Sequence, residues 1–255
     1  MMQTENGNCC FTYRKAYIFL FNFILCTVIS FLMFFASRSY EKDINMIQFL
    51  AFAKVTTLSD DKSTCNALYI GLLGSCLASC TENEDASCAT MSLYKDITGK
   101  NCGPGTVTTL TKEECATAAL CSKHGQISFA FMIIGGLLSI ALGILSIIRL
   151  ISDYGQTKKM VSFVLAALAF CSCVYAFAAF KPCAVGFQAN TITYLDSTPF
   201  SGTVILTYLY PAISTIVSFI LFVVVMFAIY FIPYVTDAHM LSNTAYMLSA
   251  SSNEM

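Results

Sequence analysis

The amino-acid sequence predicts a membrane all-α fold, a four-transmembrane-helix bundle that carries a disulfide-rich extracellular domain. Three observations predict it. The chain has 255 residues, of which 56% are hydrophobic and 11% charged, against about 25% charged in soluble domains. So little charge could barely clothe a soluble surface. Uncharged apolar runs recur along the chain, each long enough for a hydrocarbon core of about 30 Å. The 13 cysteines are unevenly placed, most of them between the first two runs.

The first element is a short polar segment, residues 1–16, read as a cytoplasmic N-terminus. Arg14 and Lys15 stand just ahead of the first span, 17–36, which holds Asn22 but no charge. A cleaved secretory signal is the rival reading, but its apolar region would be too long. The next spans, 127–148, 160–180 and 204–232, contain no Lys, Arg, Asp, Glu or His. The last would be roughly 43 Å as an unbroken helix, so it must tilt or project beyond the lipid. Pro211 near its outer end marks the place where a kink costs least.

Two signals orient the chain. The connector 149–159 has no Cys and carries Arg149 at one end and Lys158-Lys159 at the other, with Arg14-Lys15 on the same side. Arg38, Lys42, Lys123 and Lys181 lie near span ends on the opposite side, so the charge bias is slight. Cysteine decides. Cys65, Cys76, Cys80, Cys88, Cys102, Cys115 and Cys121 fall between spans one and two, and Cys183 between spans three and four. Disulfides persist in oxidising space, which places these eight outside and both termini, including the tail 233–255, in the cytoplasm of a plasma-membrane protein.

The extracellular domain is then 37–126, with a second outer loop, 181–203, beside it. Cross-links would compensate for its thin core, and eight cysteines leave roughly a hundred pairings open. Cys183 is expected to pair with a cysteine of the first outer loop. A metal is not expected, since Cys76-x3-Cys80 lacks a second ligand pair and His124 is the domain's only histidine. Within the domain, 44–57 reads as a strand. Cys65, Leu68, Leu72, Cys76 and Cys80 share a face at helical spacing, but Gly71 and Gly74 weaken a helix and leave a strand pair open. Asn101-Cys102-Gly103-Pro104-Gly105 reads as a turn. Thr111, with Glu114 three residues on, reads as the cap of a short helix over 115–120.

No catalytic set emerges. His124 and His239 fall on opposite sides of the membrane, and no hydrolase, zinc-protease or phosphate-loop motif is present, so neither enzyme nor cofactor is expected. No basic tract suits nucleic acid. The spans hold no ionisable residue of the kind a pump or secondary transporter needs. Asn22 reads as a helix-to-helix hydrogen-bonding group. Gly135, Ser139 and Gly143 repeat at four-residue spacing, as do Ser162 and Ala166, so helix backbones can approach there, within the bundle or between copies. Cys26, Cys171 and Cys173 read as small apolar fillers. Cys9 and Cys10 sit where reversible S-palmitoylation occurs, the alternative being unmodified thiols. No N-glycosylation sequon is present.

Gly71-Leu72-Leu73-Gly74-Ser75-Cys76, then Cys88 and Tyr94, resembles the first-loop signature of the claudin-like tetraspan superfamily, with Leu73 in place of its Trp. The resemblance carries Gly71 and Leu72 onto the first signature positions, and Cys76 and Cys88 onto the family's disulfide pair, which implies Cys65, Cys80, Cys102, Cys115 or Cys121 as the partner of Cys183. It implies a left-handed four-helix bundle under a small antiparallel sheet, and relatives that form junction barriers, accompany ion channels or organise cell-surface domains. The expected function is therefore a non-enzymatic organiser of surface contacts, through self-association or another membrane protein, held in membrane lipid. The competing expectation is a pore-forming oligomer or an auxiliary channel subunit.

Overall fold

The structure, a computed structural model, describes residues 5–40, 49–59, 65–80, 88, 91–102, 111–151, 156–196 and 202–231. Four long helices dominate: α1 (Glu5–Ser37), α2 (Lys112–Ile151), α3 (Gln156–Asp196) and α4 (Tyr210–Phe231). All four are long and apolar enough to cross a membrane. They pack as a bundle in which α1 and α3 flank α2, and α4 closes the ring against α1 and α3. Large apolar side chains cover the bundle's outside, among them Phe31, Leu137, Leu168 and Phe227. Its inside mixes small residues and serines, such as Cys26, Ser139, Ser162 and Ala166, with large side chains such as Ile29, Met33, Met132 and Phe222.

At one end sits a five-stranded antiparallel sheet in the order β4-β3-β2-β1-β5. Its strands are β1 (Ala53–Ser59), β2 (Cys65–Ile70), β3 (Gly74–Cys80), β4 (Met91–Leu93) and β5 (Gly202–Tyr208). Burial alternates strictly along β1. Val55 pairs with Leu68 on one side and Leu206 on the other, and these face the helix ends. The opposite face gathers a second small core of Ala67, Tyr69, Cys76, Ala78 and Cys88.

Several boundaries differ from the sequence reading. Residues 204–208, read as part of the last span, are strand: Val204, Leu206 and Tyr208 are half-buried and alternate with more exposed Thr203, Ile205 and Thr207. A continuous apolar run conceals that alternation from hydropathy. Helix α4 starts only at Tyr210, with Pro211 in its first turn, where a missing N–H costs nothing. The helical reading of Cys65 to Cys80 gives way to the strand pair β2–β3, turning at Gly71–Gly74. The expected strand over 44–57 begins at Ala53, while 41–48 lie outside the described residues. Thr111 does cap a helix: its Oγ1 accepts from the Glu114 amide at 3.2 Å, and its own amide donates to Glu114 Oε2 at 2.7 Å. That helix is not short, however, but the start of α2 itself. Likewise α3 passes through Lys181 and Pro182 to Asp196, so much of the expected second loop is helix. Its continuation keeps an apolar stripe, with Cys183 and Ala184 buried and Phe187 packed beside Tyr94.

Candidate functional site

The region most specialised by its chemistry is the junction where the sheet rests on α2 and α3. Disulfides brace it from both faces of the sheet, Cys76–Cys88 on the face turned away from the helices. Cys76–Cys88 ties β3 to the segment before β4, Cys102–Cys115 ties a single π-turn (Ile97–Asn101) to the first turn of α2, and Cys121–Cys183 joins α2 to α3. Cys65 is also disulfide-bonded and stands opposite Cys80 in the β2–β3 register. Cys183 thus pairs with Cys121, one of its expected partners. Both it and Cys121 are fully buried, and they staple two helices to each other.

The Gly71–Gly74 turn is the most constrained piece of the junction. The Gly71 amide donates to the Gly74 carbonyl at 2.9 Å, and the Leu72 amide to the Ser39 carbonyl at 2.9 Å. Tyr94, wholly buried, donates its hydroxyl to the Gly71 carbonyl at 3.0 Å, while its own amide donates to the Leu73 carbonyl at 3.2 Å. Burial pushes the Tyr94 phenol well above its ordinary pKa. The Leu72 carbonyl lies directly on Gly125 of α2, where a Cβ would collide with it. Gly125 and Tyr94 hold the turn in place, and sequence reasoning gave neither a structural role. The sequence reading left Gly125 between a helix over 115–120 and the span 127–148, outside any element, so nothing there marked it as a site of close packing.

The small residues of the bundle are spent inside it. Gly135 packs on Met33 and Cys173, and Gly143 on Cys26 and Phe23, while Ser139 donates to the Cys26 carbonyl at 2.7 Å. Ser162 accepts from Arg149 Nη1 at 2.7 Å and donates to the Lys158 carbonyl at 2.9 Å; Ala166 is buried. Cys26 and Cys173 are buried and free, but Cys171 is exposed, so it fills nothing. Asn22 departs from expectation. It is buried, yet neither its amide nitrogen nor its oxygen has a hydrogen-bond partner among the described residues. Cys9 and Cys10 fall within α1. His239 lies outside the described residues, as do Gly103, Pro104 and Gly105.

On the sheet's far face Lys54 Nζ lies 5.3 Å from the Tyr69 ring centre. Strand β5 forms one edge of the sheet, carries no charged side chain and leaves Ile205 52% exposed. Among the described residues no group of His, Cys, Asp and Glu has a metal-holding arrangement. No family model matches the sequence, and no curated protein matches it.

Proposed function

We propose that the chain is a non-enzymatic plasma-membrane protein that organises surface contacts by meeting a second copy of itself through the sheet domain. In this reading the disulfide-rich sheet end lies outside the cell. The end bearing Arg149, Lys158 and Lys159 lies in the cytoplasm, in keeping with both the cysteine placement and the positive-inside rule. Claudin-like membership is part of the same reading. It draws support from the Gly71-to-Cys88 motif and from a five-stranded antiparallel sheet seated on four apolar helices.

The observation that carries the proposal is the β5 edge. Natural edge strands are usually blunted by lysine, proline or a bulge. Gly202–Tyr208 has no lysine or proline, and pairs with β1 at every position without interruption. The bundle's small-residue stripe offers no comparable contact, because it already serves α1 and α3.

Single-molecule photobleaching in native-membrane nanodiscs counts copies directly. Wild-type protein is expected as more than one copy per disc, and Ile205→Lys, which places a charge on the exposed edge, as single copies. Wild-type protein found only as monomers ends the proposal. Discrete, ion-selective openings in planar bilayers, absent from protein-free controls, would replace it with the channel reading.

A further inference from the structure

We propose that a cavity between the sheet and the helix ends binds an amphiphilic organic cation, a primary or secondary amine on an apolar body. The cavity measures about 510 Å³ and is lined by the helix-facing side of the sheet together with α2 and α3. That volume lies within the roughly 300–1,000 Å³ of small-molecule sites. Val55 and Ala118 are its buried lining, Phe187 and Ile97 are partly buried, and Leu77 is 62% exposed.

The class of ligand follows from the polar groups in its wall. Thr57 and Thr191 spend their hydroxyl protons on the backbone carbonyls of Asn66 and Phe187, at 3.3 and 2.8 Å. Glu114 holds the α2 cap with Oε2 alone, so Oε1 remains an acceptor. Asn190 donates its amide to Thr117 Oγ1 at 3.0 Å, which leaves its carbonyl oxygen. Thr117 is three residues beyond Glu114 on the same helix, so these two acceptors stand about one turn apart on one side of α2. No lysine or arginine is among the described residues of the lining. An anionic or purely acceptor ligand would therefore meet like charge and unpaired acceptors. An ammonium group would donate to both Glu114 and Asn190 while its body covers the apolar lining. The aromatic face of Phe187 adds an attractive surface for the same charge.

The inference is independent of self-association and can be tested on the full chain in lipid nanodiscs. The probe is dansylcadaverine, a primary amine on an apolar fluorescent body, beside its N-acetyl derivative, which has the same body without the charge. Wild-type protein is expected to give a saturable blue shift with the amine that empty nanodiscs do not give. Glu114→Gln should weaken amine binding by about tenfold to a hundredfold, the worth of a charge-assisted hydrogen bond. Glutamine preserves the capping box, so α2 keeps its start. Asn190→Asp should tighten the amine, and neither change should alter the weak response to the acetylated probe. An amine response no greater than that of empty nanodiscs overturns the inference. So does equal amine affinity in wild type, Glu114→Gln and Asn190→Asp, with peptide mapping of Cys102–Cys115 serving as the check that the cavity is intact.

Discussion

Substituting Gly125 by alanine should loosen the sheet from the bundle, although the same change favours most helices. Alanine is preferred over glycine in a helix interior by about 1 kcal/mol. At position 125, however, the added Cβ would occupy the space of the Leu72 carbonyl. That carbonyl cannot simply retreat, because the turn is closed by its own Gly71–Gly74 bond and pinned by hydrogen bonds to Ser39 and Tyr94. Overpacking typically costs about 1–3 kcal/mol, and the upper value applies where backbone meets backbone. Setting about 3 kcal/mol of strain against about 1 of propensity leaves a net loss of about 2 kcal/mol, or roughly a thirtyfold rise in local opening. Native-state amide exchange in nanodiscs reads this at Leu72 and Tyr94, with amides of the mid-bundle as controls. Unchanged or slower exchange at Leu72 in Gly125→Ala would refute the reasoning, since the turn would then not be seated on α2.

Three further outcomes are expected. The neutral Tyr94 phenol is favoured in the folded protein, so its stabilising contribution is complete below its unfolded pKa of about 10 and is lost as pH rises beyond it. Tyr94→Phe should cost about 1–3 kcal/mol by stranding the Gly71 carbonyl and should also remove that alkaline step, as near-ultraviolet circular dichroism against pH would report. Replacing both Cys121 and Cys183 by alanine opens a loop of 62 residues, and thermal unfolding should show a loss of about 4 kcal/mol on the chain-entropy account. Asn22→Leu removes a buried amide that has no partner among the described residues, so denaturant titration should show a gain of about 1–3 kcal/mol. A loss there would mean that the amide is hydrogen-bonded in the membrane.

The parts legible in the sequence were those whose signal is local. Uninterrupted hydropathy located four lipid-facing helices, and Thr111 with Glu114 marked a helix start because the capping box spans only one turn. Hydropathy could not see β5, since a half-buried strand of Thr, Val, Ile, Leu and Tyr scores as apolar as a helix. It also ended α3 too early at Lys181 and Pro182, because it weighs polarity and ignores the stripe of Cys183, Ala184 and Phe187 that carries the helix on. The stripe of Gly135, Ser139 and Gly143 was readable as a site of close approach, but not whose backbone approaches. That choice is made by the order in which four helices surround one another. Contacts at the junction were the least legible. The meeting of Gly125 with Leu72, and of Tyr94 with Gly71, joins residues far apart in the chain through backbone carbonyls, which every residue possesses.

Helices α2 and α3 contain 40 and 41 residues, so each is about 60 Å long, twice the thickness of a hydrocarbon core. They run from the sheet to the far end of the bundle, and beside Pro182, where the backbone ladder of α3 loses a bond, Cys121–Cys183 bolts one helix to the other. A sideways pull on the sheet therefore cannot be absorbed locally as a swivel. It must appear as a tilt of the pair, levered about the lipid, and the ends that carry Arg149 and Lys158 would swing in the opposite direction by a comparable distance.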